Sequence, residues 1–400
     1  MQISSEWLAA RRVLAVRLDN LGDVLVTTPA IRAIKESLPG AEVTLLASPV
    51  GAQVGRLNHT IDDVLVYEAP WMDPWAHLPL DSEREQRFIA ELRARRFDAA
   101  VIFTSFRQSS LPSAYLCYLA DIPLRHAASL DGPGSLLTTR HKHPERLMHE
   151  VERGLDLVGA IGMGTSDTRL LLEVPEQART ALALRFPTVG DRGRRIAGNA
   201  LHQPSMDNPL VVLHPGCSMP ARTYPWQQFA DAADLLIERL GATVVITGSE
   251  GERELVERIR GRMRRPSIGL AGALPFALFC ALVEAADLVV TNNTGPMHMA
   301  AALQTPVVAL FALTNPPEQW RPWRVPHRQL FHDVPCRICY SRLCPVGHEC
   351  LRLVSPEMVV DAAAALLSAE ERGLSTEFPA RAPLNTQRSA LSTGVERTDA

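Results

Sequence analysis

Lysine is almost missing from this chain of 400 residues: of its 41 basic residues, only Lys35 and Lys142 are lysines. Neither follows the glycine that a phosphate-binding P-loop requires, which excludes that NTPase architecture. The Gly-x-Gly-x-x-Gly turn of nicotinamide enzymes is missing too, since Gly132/Gly134 and Gly162/Gly164 stop short of it. Charge of one sign is not in excess. The net charge is −3 and the pI about 6.5, so no nucleic-acid partner is expected, because phosphate backbones are held by clustered cations. No stretch approaches the ~20 apolar residues that span a bilayer, and the opening MQISSEWLAARR lacks the apolar stretch of a secretory signal. The expectation is a cytoplasmic chain with no transmembrane segment.

What is present is ordinary globular composition, 46% hydrophobic and 21% charged, long enough for two domains. From Val13, short β-branched runs (13–18, 42–48, 63–69, 98–104) alternate with helical patterns (24–38, 81–96), as parallel strands with crossover helices do. Leu147, Val151, Leu155 and Val158 share one face of a helix predicted over 145–162, which closes the first domain. Pro, Gly, Arg and Asn then accumulate as in a linker. A second series has near-continuous apolar strands at 210–216, 242–248, 287–293 and 306–312, the pattern of strands buried on both faces. The predicted fold class is α/β, with two Rossmann-like doubly wound parallel sheets facing a central cleft. The expected divisions are 1–165, a linker 166–209, 210–371, and a polar, aperiodic tail 372–400 read as disordered. Ligands of such sheets sit at the carboxyl ends of the strands.

Four strand-to-helix turns at those ends carry the candidate chemistry. In the first, DNLGD (19–23), Gly22 suits a tight turn or close approach. Asp23 sits where a helix dipole keeps a carboxylate ionised, as a proton acceptor needs. The plainer reading of Asp19 or Asp23 is a helix cap, for which Asp is favoured. Pro29 is expected either to start the regular helix after Thr28 or to kink it, with Asp23 remaining in the turn. In the second domain Arg222 precedes a helix starting near Trp226, where a guanidinium and free N–H groups suit a diphosphate; a solvated surface arginine is the alternative. Asn293, Thr294 and Gly295 join a strand to a helix, and His298 in its first turn either touches a ligand or fills the core. At the remaining turn Thr247, Gly248 and Glu252 suit a ribose.

The segments LGDVLVTTPAIRAIK (21–35), LHPG (213–216), RTYPWQQFA (222–230), VVITGSEGE (244–252) and TNNTGPMHMAAALQTPVVALF (291–311) occur in one order over about residues 12–370. Together they resemble the family 9 glycosyltransferases, the bacterial ADP-heptose:lipopolysaccharide heptosyltransferases and their relatives. That resemblance implies the GT-B fold and an inverting, metal-independent transfer with no cofactor required. The implied donor is a nucleotide diphosphate sugar, ADP-heptose foremost, and the implied acceptor a lipopolysaccharide core or other bacterial glycan. Asp23 matches the family's proposed base, and Thr294, Gly295 and His298 its donor-binding turn. Arg222 stands in place of a usual Lys, Tyr224 in place of a Trp, and Asn293 in place of an Asp, the last bearing on donor identity. No Asp-x-Asp occurs, the pair that commonly holds metal in the other major transferase architecture. Peripheral contact with the inner face of the cytoplasmic membrane fits such an acceptor.

On charge alone, Arg107, Arg125, Arg140 and Lys142 are candidate partners for an anionic saccharide. Cys336, Cys339, Cys344 and Cys350, spaced C-x2-C-x4-C-x5-C near His348, could hold a structural zinc; free thiols or a disulfide formed after isolation are the alternatives. Two other functions share the scaffold: a nucleotide-sugar epimerase, and a catalytically degenerate binder of sugar nucleotide or glycan, motivated by Asn293.

Overall fold

The computed structural model describes residues 2–73, 77–187, 189 and 208–368, so the expected tail (372–400) and the stretch 190–207 of the expected linker lie outside the described residues. Runs of Val, Ile, Leu and Ala covered on both faces form parallel strands. The first sheet contains β1 (Arg12–Arg17), β2 (Glu42–Ala47), β3 (Asp63–Val66), β4 (Ala99–Ile102), β5 (Leu124–Ala128) and β6 (Thr139–His141). The second contains β7 (Leu210–His214), β8 (Thr243–Gly248), β9 (Ile268–Ala271), β10 (Leu288–Asn292), β11 (Val307–Leu310) and β12 (His327–Leu330). The spatial orders are β3-β2-β1-β4-β5-β6 and β12-β11-β10-β7-β8-β9, and every pairing is parallel. Both orders reverse at the centre, between β1 and β4 and between β7 and β10, which is where a crevice opens outside the strand ends. The segments that follow these four central strands, helix starts included, carry Asp23, Ser105, Arg222 and Asn293.

The helix after β1 runs without a break from Leu21 to Ser37, through Pro29. Asp23 therefore lies in the first turn of the helix, capped by Asn20, and not in a turn ahead of it. A proline nitrogen cannot bond the carbonyl four residues back. Here Thr28 Oγ1 donates to that Leu25 carbonyl at 2.7 Å, and the same oxygen accepts from Leu171 N at 2.9 Å. The helix predicted over 145–162 is shorter, Glu150–Gly159, because His149 caps it by accepting from Val151 N; Leu147 is left outside and exposed. Part of the expected linker is a helix, Glu176–Arg185, tied to helix Phe276–Ala285 by two Arg179–Glu284 bonds of 2.7 and 2.8 Å. One apolar core runs through both sheets, joining Val24 and Leu25 to Met297 and Met299. No helix among the described residues is long and apolar enough to cross a membrane.

Candidate active site

On the first lobe the site is built around Arg17, the last residue of β1 and almost fully buried. Its Nε lies 2.9 Å from Asp19 Oδ2 and its Nη2 3.2 Å from Asp23 Oδ1. Ser105, just past β4, accepts from Arg17 Nη2 at 2.6 Å and donates to Asp23 Oδ1 at 3.0 Å; Gln108 Nε2 donates to Asp19 Oδ1 at 2.6 Å. The other Asp23 oxygen accepts from Asn20 N at 3.2 Å. Asp23 is thus both a helix-capping carboxylate and a cleft-facing one. Burial pushes the Asp19 carboxyl up to about 6 against the pull of Arg17. Burial also works against the charge on Arg17, but the carboxylates of Asp19, Asp23 and Glu150 outweigh it and raise its pKa.

On the second lobe Thr294 precedes helix Gly295–Ala302, whose N-terminal end abuts that of helix Leu21–Ser37. A Cβ on Gly22 would stand 2.8 Å from His298 Cδ2, and one on Gly295 3.2 Å from Leu21 Cδ2. Only residues without a side chain allow this approach. His298 is buried, which pushes its pKa down to about 4 against the attraction of Asp23, so the ring is neutral at pH 7. Its Nδ1 and the buried Asn293 Oδ1 have no hydrogen-bond partner among the described residues. Arg222 Nε donates to Thr314 Oγ1 at 3.1 Å. Burial lowers the Arg222 pKa, opposed by Cys217 and by the carboxylate of Asp23 across the cleft.

Between the lobes lies a cleft of about 460 Å³, with Asp23 on one wall and Arg222, Asn293, Thr294, Gly295 and His298 on the other. Arg107 is at its mouth, its guanidinium 4.4 Å above the Tyr340 ring. A second cavity of about 350 Å³ adjoins it through Gly22, Thr294 and Gly295. Its lining joins Thr247, Gly248 and Glu252 to the apolar side chains of Leu270, Phe276, Phe279 and Met299. Glu252 accepts from Ser249 N at 2.7 Å and lies over Gly216, where a Cβ would fall 2.0 Å from its Oε1. An apolar slot that opens into a cleft bearing a guanidinium and a helix N-terminus matches a flat ring joined to an anion.

Several expected site residues lie elsewhere. Tyr224 is wholly buried, its OH bonded to Val354 O at 2.7 Å, and it lines neither cavity; the structure places it in the core and not on the cleft wall. Arg125 is buried with its guanidinium on the carbonyls of Leu136 and Ser135, both at 2.8 Å, and of Ile122. Arg140 spends its own on Ser129 O at 3.0 Å and Leu130 O at 2.5 Å. Lys142 is exposed and lines neither cavity. Of the four basic residues considered for the acceptor, Arg107 is the one at the cleft. The four cysteines line a separate cavity of about 30 Å³ and are all free. Among the described residues, the group with three metal-capable atoms within 4.8 Å of one another is His141, His143 and Asp156; the four sulfurs are not drawn together to that spacing. Arg17, Ser105 and Gln108 were not foreseen, for they belong to no recognisable motif.

Residues 86–349 match the sequence profile described as Glycosyltransferase family 9 (heptosyltransferase). The chain is 26% identical over 322 residues to lipopolysaccharide heptosyltransferase 2 of Salmonella typhimurium, covering 76% of this chain and 84% of that one. Its fold is similar to that of the E. coli ADP-heptose lps heptosyltransferase II, with TM-score 0.68, 22% identity and coverage of 90% of this chain and 99% of that one. An E. coli heptosyltransferase solved with ADP superimposes with TM-score 0.61 at 18% identity, covering 89% and 99%.

Proposed function

The chain belongs to glycosyltransferase family 9, the heptosyltransferases, and on that premise we propose that it moves a heptose from ADP-heptose onto a lipopolysaccharide core, with inversion and without a metal. The observation that carries this reading is the cleft itself, where Asp23 faces Arg222 and the Thr294–His298 turn. In the proposed division, the first lobe (1–165) takes the acceptor and the second (210–371) the donor. The nucleoside enters the apolar slot with its ribose toward Glu252, and the diphosphate lies at Arg222 and the helix N-terminus. The ADP carried by the E. coli relative supports an adenine donor.

An acceptor hydroxyl then attacks the anomeric carbon from the side opposite the diphosphate. The new C–O bond forms as the bond to the diphosphate oxygen breaks, the proton passing to Asp23 and the electron pair to the leaving group. Arg222 and the backbone N–H groups of Thr294 and Gly295 at the helix start stabilise that developing charge. Arg17, Ser105 and Asn20 hold the carboxylate in place, and Arg107 meets the acceptor.

The test is a screen of purified chain against ADP-, UDP- and GDP-sugars with truncated lipopolysaccharide cores, read as release of nucleoside diphosphate. Release is expected with ADP-heptose, and only when acceptor is present. Donor conversion without acceptor indicates an epimerase, and calorimetric binding without product a degenerate binder; either outcome overturns the proposal.

A further inference from the structure

Away from the cleft, β6 ends at His141, and the extended chain brings His143 to the same side with Lys142 exposed on the other. Asp156, on helix Glu150–Gly159, places one oxygen against both rings: its Oδ2 is 2.6 Å from His141 Nε2 and 2.7 Å from His143 Nδ1. The two rings stand at 89° with centroids 4.9 Å apart, so they converge at their nitrogens and do not stack. The three side chains are 16%, 12% and 27% exposed, so the cluster is largely covered by protein yet still reached by water. A third imidazole, His126, lies behind them, but its nitrogens are held by Thr139 O at 3.1 Å and Leu157 O at 2.8 Å, which locks strand end to helix. Arg153, one turn before Asp156, is engaged by Glu150 with Nε 3.4 Å from Oε1.

We propose that His141, His143 and Asp156 bind one divalent transition-metal ion of the zinc type, water or an anion filling its remaining positions. Two imidazole nitrogens and one carboxylate oxygen are the donor set that borderline ions such as Zn²⁺ and Co²⁺ select, and an open side is the mark of a three-ligand site. The present N···O separations are those of shared protons. An ion with bonds of about 2.1 Å at a tetrahedral angle opens them to roughly 3.4 Å. The ion pins the segment 142–149 to the helix that starts at Glu150. That residue's Oε1 accepts from Gln319 Nε2 at 2.6 Å and from Phe106 N at 3.3 Å on the rim of the cleft. The site is independent of the sugar-transfer step.

Chelator-stripped, full-length protein titrated with Co²⁺ tests this. One equivalent is expected, with visible d–d bands and without the strong near-ultraviolet band of thiolate ligation. Affinity should fall at least about tenfold in His143→Ala and Asp156→Asn, and stay unchanged in the Cys336→Ser/Cys339→Ser double variant. Zn²⁺ should raise Tm in the parent and not in His143→Ala. Should that variant fail to fold, His143→Gln keeps a hydrogen bond to Asp156 while removing the imidazole, and must lose cobalt with Tm preserved. Absence of saturable binding, binding undiminished in these variants, or a thiolate band abolished by the cysteine changes overturns the proposal.

Discussion

Asp23 reaches the cleft with both carboxylate oxygens engaged, by Arg17, Ser105 and the Asn20 amide, whereas across from it Asn293 Oδ1 and His298 Nδ1 are buried without partners among the described residues. A buried polar atom left unmatched costs about 1–3 kcal/mol. The first lobe therefore presents a carboxylate whose position is set before any ligand arrives. The second presents polar atoms with hydrogen-bonding capacity that no described residue fills. One wall holds its geometry by internal bonds, and the other keeps capacity for a ligand.

The largest break in this contrast is Asp23→Asn, which keeps the shape and removes the proton acceptor. A fall in kcat of about 10²–10⁴ is expected, with donor affinity by calorimetry little changed; undiminished turnover refutes the assignment. Arg222→Ala should lower kcat about 10²–10³ and weaken donor binding, with Arg222→Lys recovering much of both. Donor affinity indifferent to Arg222 would place the diphosphate elsewhere.

Acid sharpens the comparison between lobes. Burial lowers the His298 pKa from 6.5 to about 4, so its contribution to stability is full above pH 6.5 and is lost as pH falls toward 4, about 3 kcal/mol in all. Asp19 acts in the opposite sense, since its pKa is raised by burial and protonation favours the folded state. Denaturant midpoints measured between pH 6.5 and 4 should fall less in His298→Asn than in the parent. Gly22→Ala drives a methyl to within 2.8 Å of the His298 ring, for a cost of about 1–3 kcal/mol and a higher donor KM. Gly132→Ala, with nothing within 4 Å, is the control that should change neither. Smallest is Tyr224→Phe, which removes the bond to Val354 O for about 1 kcal/mol and leaves donor KM unmoved.

The inner strands β1, β2, β4, β7, β8, β10 and β11 are legible from sequence because burial on both faces demands unbroken apolar runs. Strand β5, Leu-Arg-His-Ala-Ala, escapes that reading, because Arg125 and His126 are buried by bonding backbone carbonyls, and only tertiary structure supplies those. The family's turns at 19–23, 222 and 293–298 place Asp23, Arg222 and His298 at one cleft, as their order along the chain suggests. The partners of Asp23 were hidden for a topological reason. Arg17 and Ser105 are 88 residues apart and meet only because β1 lies beside β4. Tyr224 shows the converse, since sitting two residues from a cleft-lining arginine says nothing of which way a ring turns.

Pro29 has a use that its poor helix propensity conceals. The imino acid leaves the Leu25 carbonyl open, Thr28 closes it, and the hydroxyl's spare lone pair clasps the Leu171 amide on the strand of chain leading out of the first lobe. A gap in the helix that bears Asp23 has thus become a fastening. Any tug on that outgoing chain is delivered about a turn and a half from the carboxylate, along the same rod.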